Sequence, residues 1–399
     1  MINTDMALRA MKYRLYPTDE QICYLNQVFG AKRWIFNYFL NENKTRFQNK
    51  EKHLSGFDCN LLITQLKKEP DTNWLKSMDD WALKNASADL AAAYQNFFNS
   101  LSGKRKGKKL EHPKFKKRSN NQSFRTKGIK ITENGIRIPK LKTEIPCVMH
   151  RDIDGTIKTA TITRTPSGKY FIAILTEYEP EIKELTGKHV GIDLGLRDLI
   201  ITSDGVKFQH PDIQLSKAKM LLKEQQRILS RKQYGSRNYE MQRIKVAKLH
   251  EEITNQKMSY YHLISSYLVA SYDTILFENL NVAGMIRNRK LARKIHVASW
   301  GVLTGMVKYK CELYGKTYHE IGRFMPSTKT CSCCGHVLDS IELSVKEWTC
   351  PNCGVLHDRD INASTNILQF GLMDLYGNNL PSNRGDGNII PPALQKFAQ

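Results

Sequence analysis

Two Cys-x-x-Cys knuckles restrict this chain more than any other feature. Cys331-Ser332-Cys333-Cys334-Gly335 and Cys350-Pro351-Asn352-Cys353-Gly354 stand fifteen residues apart. That spacing suits a four-cysteine structural zinc site, with Cys331, Cys334, Cys350 and Cys353 as ligands and Cys333 left over. The glycine after each pair suits a turn that aims backbone amides at thiolates, and Trp348 supplies an apolar contact. Four thiolates close the coordination sphere to substrate, so the metal's expected role is structural. The other four cysteines, Cys23, Cys59, Cys147 and Cys311, are scattered, which argues against a disulfide framework and for a reducing compartment.

So small a motif leaves most of 399 residues unexplained, and that length suggests about two or three domains. Lys and Arg outnumber Asp and Glu by 61 to 39, a net charge of +22 whose field suits a polyanion, nucleic acid first. No apolar run reaches the roughly 18 residues of a spanning helix and residues 1–17 lack a signal-peptide core, so no membrane partner and a cytoplasmic, nucleoid-associated location are expected. Residues 7–16 read as a strand ended by Pro17, with Thr18 capping a helix that begins with Asp19 and Glu20. Helical patterning continues to about residue 103, clearest where Leu83, Ala86, Leu90, Tyr94, Phe97 and Leu101 share one face. Between 104 and 130 stand twelve Lys or Arg and one acid, Glu111, interleaved with Phe115 and Phe124. Lys104, Arg105, Lys106, Lys108, Lys109, Lys114, Lys116, Lys117 and Arg118 are accordingly expected to meet phosphates. Strand-length pieces from 129 to 177 predict a small antiparallel β domain, which the first strand joins, with the helical block inserted between.

A mixed α/β region begins near 187, with strands at 189–194, 198–202 and 206–208, long helices at 212–232 and 237–271, a strand at 274–277 and a helix at 299–314. Three carboxylates occupy distinctive settings within it. Alternation sends Val190, Ile192 and Leu194 to one side of a strand and leaves Asp193 on the other between Gly191 and Gly195, with room for metal ions and a phosphate. The string Gly-Ile-Asp-Leu-Gly also resembles the phosphate motif of actin-like ATPases. Glu278 ends an apolar strand, where open α/β sheets place ligands. In His357-Asp358-Arg359-Asp360 the helix periodicity gives Asp358 the N-cap and puts Asp360 on the face of Ala363 and Ile367. His357 and Arg359 read as surface or capping residues, or as aids to a leaving group. Carboxylate oxygens suit magnesium, with manganese as a substitute, and three acids can hold two ions about 4 Å apart for in-line attack on a phosphodiester. The basic Arg287, Arg289 and Arg293 follow Glu278 and are expected to meet the DNA strand entering the site.

In order, Gly191-Ile192-Asp193-Leu194-Gly195, Phe277-Glu278-Asn279-Leu280, the two knuckles and Asp358-Arg359-Asp360-Ile361-Asn362-Ala363 closely resemble TnpB, the transposon-encoded RNA-guided nuclease family. Further matches are Gly30-Ala31-Lys32-Arg33-Trp34-Ile35-Phe36-Asn37 and Ala92-Ala93-Tyr94-Gln95-Asn96-Phe97-Phe98. The resemblance implies a multidomain α/β plus β architecture. Its parts would be an antiparallel β wedge domain (1–16 and 104–185), a helical recognition domain (17–103), and a RuvC-like, ribonuclease H-like nuclease domain (186–372) carrying a zinc ribbon at 326–356. A flexible tail (373–399) would follow. It also implies a guide RNA from the transposon end, a double-stranded DNA target opened beside a short flanking motif, one chain per RNA, and catalysis by Asp193, Glu278 and Asp360. A guided repressor or transposition accessory without cleavage, and a compact type V CRISPR effector, remain open on sequence alone.

Overall fold

The computed structural model describes residues 6–105, 107–118, 122–180, 182–342 and 344–377. Lys106 and the part of the expected tail beyond 377 lie outside the described residues. Contacts divide the chain between Glu179 and Pro180 into two compact units.

The first unit opens with β1 (Ala7–Leu15). Thr18 then closes a capping box, its hydroxyl accepting the Gln21 amide while the Gln21 carboxamide oxygen accepts the Thr18 amide at 3.0 Å. Three helices follow, α1 (Asp19–Gln48), α2 (Gly56–Leu66) and α3 (Asp80–Leu101), the last capped by the Asp79 carboxylate on the Ala82 amide. Strands β2 (Gln122–Thr126), β3 (Lys130–Ile131), β4 (Gly135–Arg137), β5 (Ile145–Val148), β6 (Thr156–Arg164) and β7 (Tyr170–Tyr178) complete the unit. With β1 they form one antiparallel sheet in the order β2-β6-β7-β1-β5-β4-β3. β1 pairs with β7 along its whole length, Ala7 opposite Tyr178 and Leu15 opposite Tyr170. The first strand therefore finds its partners only after the helices, and Tyr13, Ile162 and Ile172 from the sheet share a core with Leu25, Ile35, Phe39 and Leu83 from the helices.

The second unit runs β8 (His189–Asp193), β9 (Asp198–Thr202), β10 (Lys207–Gln209), α4 (Asp212–Ser230), α5 (Arg237–Ser271), β11 (Thr274–Phe277), α6 (Val282–Met285), α7 (Arg289–Ala298), α8 (Trp300–Tyr314), β12 (Thr317–Glu320), β13 (Glu347–Thr349), β14 (Leu356–Asp358) and α9 (Arg359–Tyr376). Its five-stranded sheet has the order β10-β9-β8-β11-β12. β8, β9 and β10 form an antiparallel meander, and β11 lies parallel to both β8 and β12. Val190, Ile192, Ile275 and Phe277 face a core built with α5 and α8, including Tyr261, Leu268, Trp300 and Leu303. Leu276 points the other way, to Ile367 and Leu372 of α9. Helices thus cover both faces of the sheet.

Three details differ from the sequence reading. Residues 182–185, grouped there with the β domain, belong to the second unit: the Lys183 amide donates to the Tyr314 carbonyl and the Lys316 ammonium to the Glu184 carbonyl. α9 continues through Tyr376, so residues 373–376 are helical rather than tail. β12 was not foreseen, because Thr317-Tyr318-His319-Glu320 has no apolar alternation, and its parallel pairing with β11 supplies the order instead. No helix of the described residues is long and apolar enough to cross a membrane.

Candidate active site and metal centre

Parallel pairing sets Phe277 opposite Ile192, so Glu278 and Asp193 follow one another at the same end of adjacent strands. Side chains alternate along a strand. Leu276 faces α9, hence Glu278 does too, and Gly191 with Asp193 shares that face. Asp360 sits in the first turn of α9, packed on the same side. Asp358 is the N-cap of that helix, its Oδ1 accepting the amides of Asp360 at 2.9 Å and Ile361 at 3.0 Å while its Oδ2 meets Lys207 Nζ at 2.6 Å. Thus the two neighbouring acids are separated by role: one secures the helix end, the other is presented to the sheet.

The glycines beside Asp193 have a purpose other than the open space expected of them. A Cβ on Gly191 would lie 2.1 Å from the Ser364 carbonyl oxygen and 2.4 Å from the Leu368 nitrogen. A Cβ on Gly195 would lie 2.4 Å from the Asp198 carbonyl oxygen. Gly191 therefore lets the α9 backbone rest directly on β8, and Gly195 lets the β8–β9 turn close; the first contact is what carries Asp360 toward Asp193.

Three carboxylates meet in a half-buried site and repel one another when charged. Burial, then the charges of Glu278 and Asp360, push the Asp193 carboxyl well above its ordinary value, with the Arg359 guanidinium opposing them. Burial likewise pushes Glu278 up to about 7, against the pull of the Leu194 amide, which donates to Glu278 Oε1 at 3.2 Å, and of its contact with Asp193. A bound cation would oppose both shifts by favouring the charged carboxylates. Arg359 donates two N–H groups to Asp360 Oδ1 at 3.1 and 3.2 Å, so it is the local countercharge.

At the knuckles, Cys331 Sγ lies 3.7 Å from Cys353 Sγ and Cys334 Sγ lies 3.6 Å from Cys350 Sγ; the four ligand atoms are all within 4.8 Å of one another. A tetrahedron with metal–sulfur bonds of about 2.3 Å has edges of about 3.8 Å, so the four sulfurs fit one zinc-sized ion. Gly335 and Gly354 both take φ of 74°, the left-handed value the turn requires. His357 departs from its expected surface or capping role. It is buried, paired across the β13–β14 hairpin with Trp348, and its Nε2 lies 3.0 Å from Cys331 Sγ. Two residues that sequence reasoning missed tie this segment to α9. Asn362 Nδ2 donates to the Thr330 carbonyl and its Oδ1 accepts the Ser332 amide; Asn366 Nδ2 donates to the carbonyls of Ser327 and Thr330. The available signal was two buried-face asparagines four apart in an otherwise ordinary helix.

Of the basic residues, Lys104, Arg105, Lys108, Lys109, Lys114, Lys117 and Arg118 are exposed and Lys116 is half-buried. Arg287, Arg289 and Arg293 are exposed, the last two on α7, opposite its buried Ile295 and Ala298.

Comparison with known proteins gives three family matches: a Cas12f1-like TNB domain over residues 300–367, a domain described as "Probable transposase" over 173–289, and a helix-turn-helix domain over 6–52. The last stretch forms a strand and one long helix here. A Streptomyces pristinaespiralis protein, provisionally designated an RNA-guided DNA endonuclease, is 34% identical over 369 residues, covering 91% of this chain and 89% of that protein. The InsQ protein of Escherichia coli K12, with the same provisional designation, is 29% identical over 383 residues, covering 91% and 92%. Among solved structures, a Cas12f1–sgRNA–target DNA complex matches with a TM-score of 0.55 at 11% identity, over 91% of this chain and 98% of that one, a likeness of fold.

Proposed function

The chain belongs to the TnpB family of transposon-encoded RNA-guided DNA endonucleases, and on that premise we propose that Asp193, Glu278 and Asp360 form its DNA-cutting centre. The observation that carries the proposal is the convergence of three acids from two strand ends and one helix start, with their charges felt at Asp193. The sheet order, an antiparallel meander followed by two parallel strands, supports a ribonuclease H-like, RuvC-type reading of the second unit. The all-oxygen donor set and the crowding of negative charge fit hard divalent cations. Two magnesium ions, or manganese, would supply an activated water and a stabilised leaving oxygen for phosphodiester hydrolysis. The chain's own contribution is to hold the carboxylates: Leu194 orients Glu278, α9 presents Asp360, and Arg359 balances Asp360. Cys331, Cys334, Cys350 and Cys353 would hold a structural zinc, with His357 against one of the sulfurs.

In this reading the first unit is the wedge and recognition part, and the chain takes a guide RNA from the transposon end, leaving sequence choice in double-stranded DNA to base pairing beside a short flanking motif. The survival of all three acids weighs against a guided repressor that does not cut. Asp193→Ala, Glu278→Ala and Asp360→Ala should each abolish cleavage while RNA and target binding stay near the parent's; unchanged cutting by any one removes that residue from the centre. Sequencing the RNA that copurifies tests the guided mechanism itself. A transposon-end RNA supports it, an array-derived RNA makes the chain a compact CRISPR effector, and no discrete RNA refutes guidance.

A further inference from the structure

The first unit contains a cavity of about 340 Å³ where α1, α3 and the basic segment meet. Lys32 and Arg33 enter it from α1, Lys116 and Lys117 from the basic segment, and Asp89 from α3, so four cations face one carboxylate. This cluster is built rather than strewn. Asn37, one turn beyond Arg33 on α1, grips the Lys116 backbone twice, donating to its carbonyl at 3.0 Å and accepting its amide at 2.8 Å. That clamp fixes the extended segment on the helix and lays the Lys116 ammonium over the Phe36 ring, 3.9 Å from its centroid. Arg33 Nη1 donates to Gln122 Oε1 at 3.3 Å, which orients the guanidinium fork. Asp89 is the shared carboxylate, 2.9 Å from Lys32 Nζ and 4.0 Å from Lys116 Nζ.

We propose that this cavity is a phosphate site, seating one backbone phosphodiester of a nucleic-acid strand between Arg33, Lys32 and Lys116. The proposal rests on the reading of the chain as a guided nuclease. Three arguments favour a phosphate over a merely solvated charged face. The cations are held by fixed partners before any ligand arrives, which lowers the ordering cost of binding. Arg33 presents the planar donor fork that suits two phosphate oxygens, and the lysines add point charges. Burial and the neighbouring Lys32 hold the Lys116 ammonium below its ordinary pKa, with Asp89 only partly compensating, and an anion between the two lysines would relieve that repulsion.

The test uses the full chain in two arms: binding of its copurifying guide RNA by the RNA-free protein, and binding of matched target DNA by the RNA-loaded complex, each over a salt series. Lys32→Gln with Arg33→Gln should weaken one arm about tenfold or more. It should also reduce the slope of log affinity against log salt by about 0.7 for one lost single-strand contact. The affected arm identifies the phosphate's source. Lys68→Gln, an exposed lysine of the same unit outside the cavity, provides the single-charge comparison. Asp89→Asn gives an independent sign test. By releasing Lys32 and Lys116 to the ligand it should tighten binding, whereas a carboxylate needed only for packing would leave affinity unchanged or lower it. Loss in the double variant no greater than twice that of Lys68→Gln in both arms, or no tightening by Asp89→Asn, overturns the phosphate site. If the parent protein binds no guide RNA, the guided reading falls first, so the two failures are distinguishable.

Discussion

Gly191→Ala should damage both stability and cutting without touching a charged group. The added methyl would sit 2.1 Å from the Ser364 carbonyl oxygen and 2.4 Å from the Leu368 nitrogen, where ordinary contact begins at 3.4 Å. Both neighbours are backbone, so no side chain can rotate away, and α9 must rise from β8 by roughly 1 Å. Overpacking of this kind costs about 3 kcal/mol, the upper part of its usual range. For a unit of this size that corresponds to a fall of roughly 6–12 °C in melting temperature. Ser364 lies one turn beyond Asp360, so the same displacement moves the carboxylate, and in the centre proposed above a misplacement of about 1 Å is worth roughly a hundredfold in rate. Thermal denaturation and single-turnover cleavage of a guide-matched duplex read the two effects. Gly305→Ala is the control, since its Cβ meets nothing within 4 Å and it stands in α8. Helix propensity alone should then stabilise by about 0.5–1 kcal/mol. Gly191→Ala melting within a degree of the parent and cutting at its rate would refute the argument that backbone contact positions Asp360.

Asn366→Ala leaves the Ser327 carbonyl without its buried donor and the Thr330 carbonyl with Asn362 alone, which should cost about 1–3 kcal/mol in chemical denaturation while zinc stays bound; an unchanged unfolding midpoint would show that the clamp contributes nothing. Cys350→Ser should lose the metal and lower stability, and elemental analysis still finding one zinc per chain would rule out the four-thiolate centre. Lys316→Met strands a buried carboxylate: Lys316 Nζ lies 2.5 Å from Asp273 Oδ1, and removal of one partner costs about 3–5 kcal/mol near pH 7. Burial alone would raise the Asp273 carboxyl, but Lys316 and the amides of Thr186 and Gly187 outweigh it and hold it below the ordinary value. Its stabilisation is therefore present above the unfolded-state pKa of about 4 and is lost as pH falls through the lower folded value. The deficit of the variant should narrow in acid, and urea midpoints that differ equally at pH 7 and well below 4 would contradict that sign.

What could be read from the sequence was what local spacing reports. Cys-x-x-Cys pairs define a turn by themselves, and the ligand atoms of both knuckles do come together. Asp193 stood out because strand alternation left it between two glycines, Glu278 because it ends an apolar strand, and Asp358 was separable from Asp360 by helix phase alone. Contacts between backbones distant in sequence leave no such trace. Nothing around Gly191 says that Ser364 and Leu368 will occupy the space beside it, so the glycine looked like room for a ligand. His357 looked like surface because its burial depends on pairing with Trp348 and on a sulfur 26 residues earlier. Thr317-Tyr318-His319-Glu320 is a strand because β11 lies beside it, not because of its own pattern.

These nonlocal contacts also explain why a metal-sized thiolate cluster should interrupt the chain between β12 and α9. Asp360 lies in the first helical turn, where backbone amides lack intrahelical partners and fraying is easiest. A flexible connection there would leave the third carboxylate poorly placed. Instead the Asp358 carboxylate accepts two of those amides, the Arg359 amide donates to the Lys346 carbonyl, and His357 rests on Cys331. Further along the helix, Asn362 and Asn366 hold the approach to the first knuckle. The cysteine segment thus acts on the helix start from both sides, so a rigid ribbon distant from the carboxylates in chemistry still determines where one of them stands.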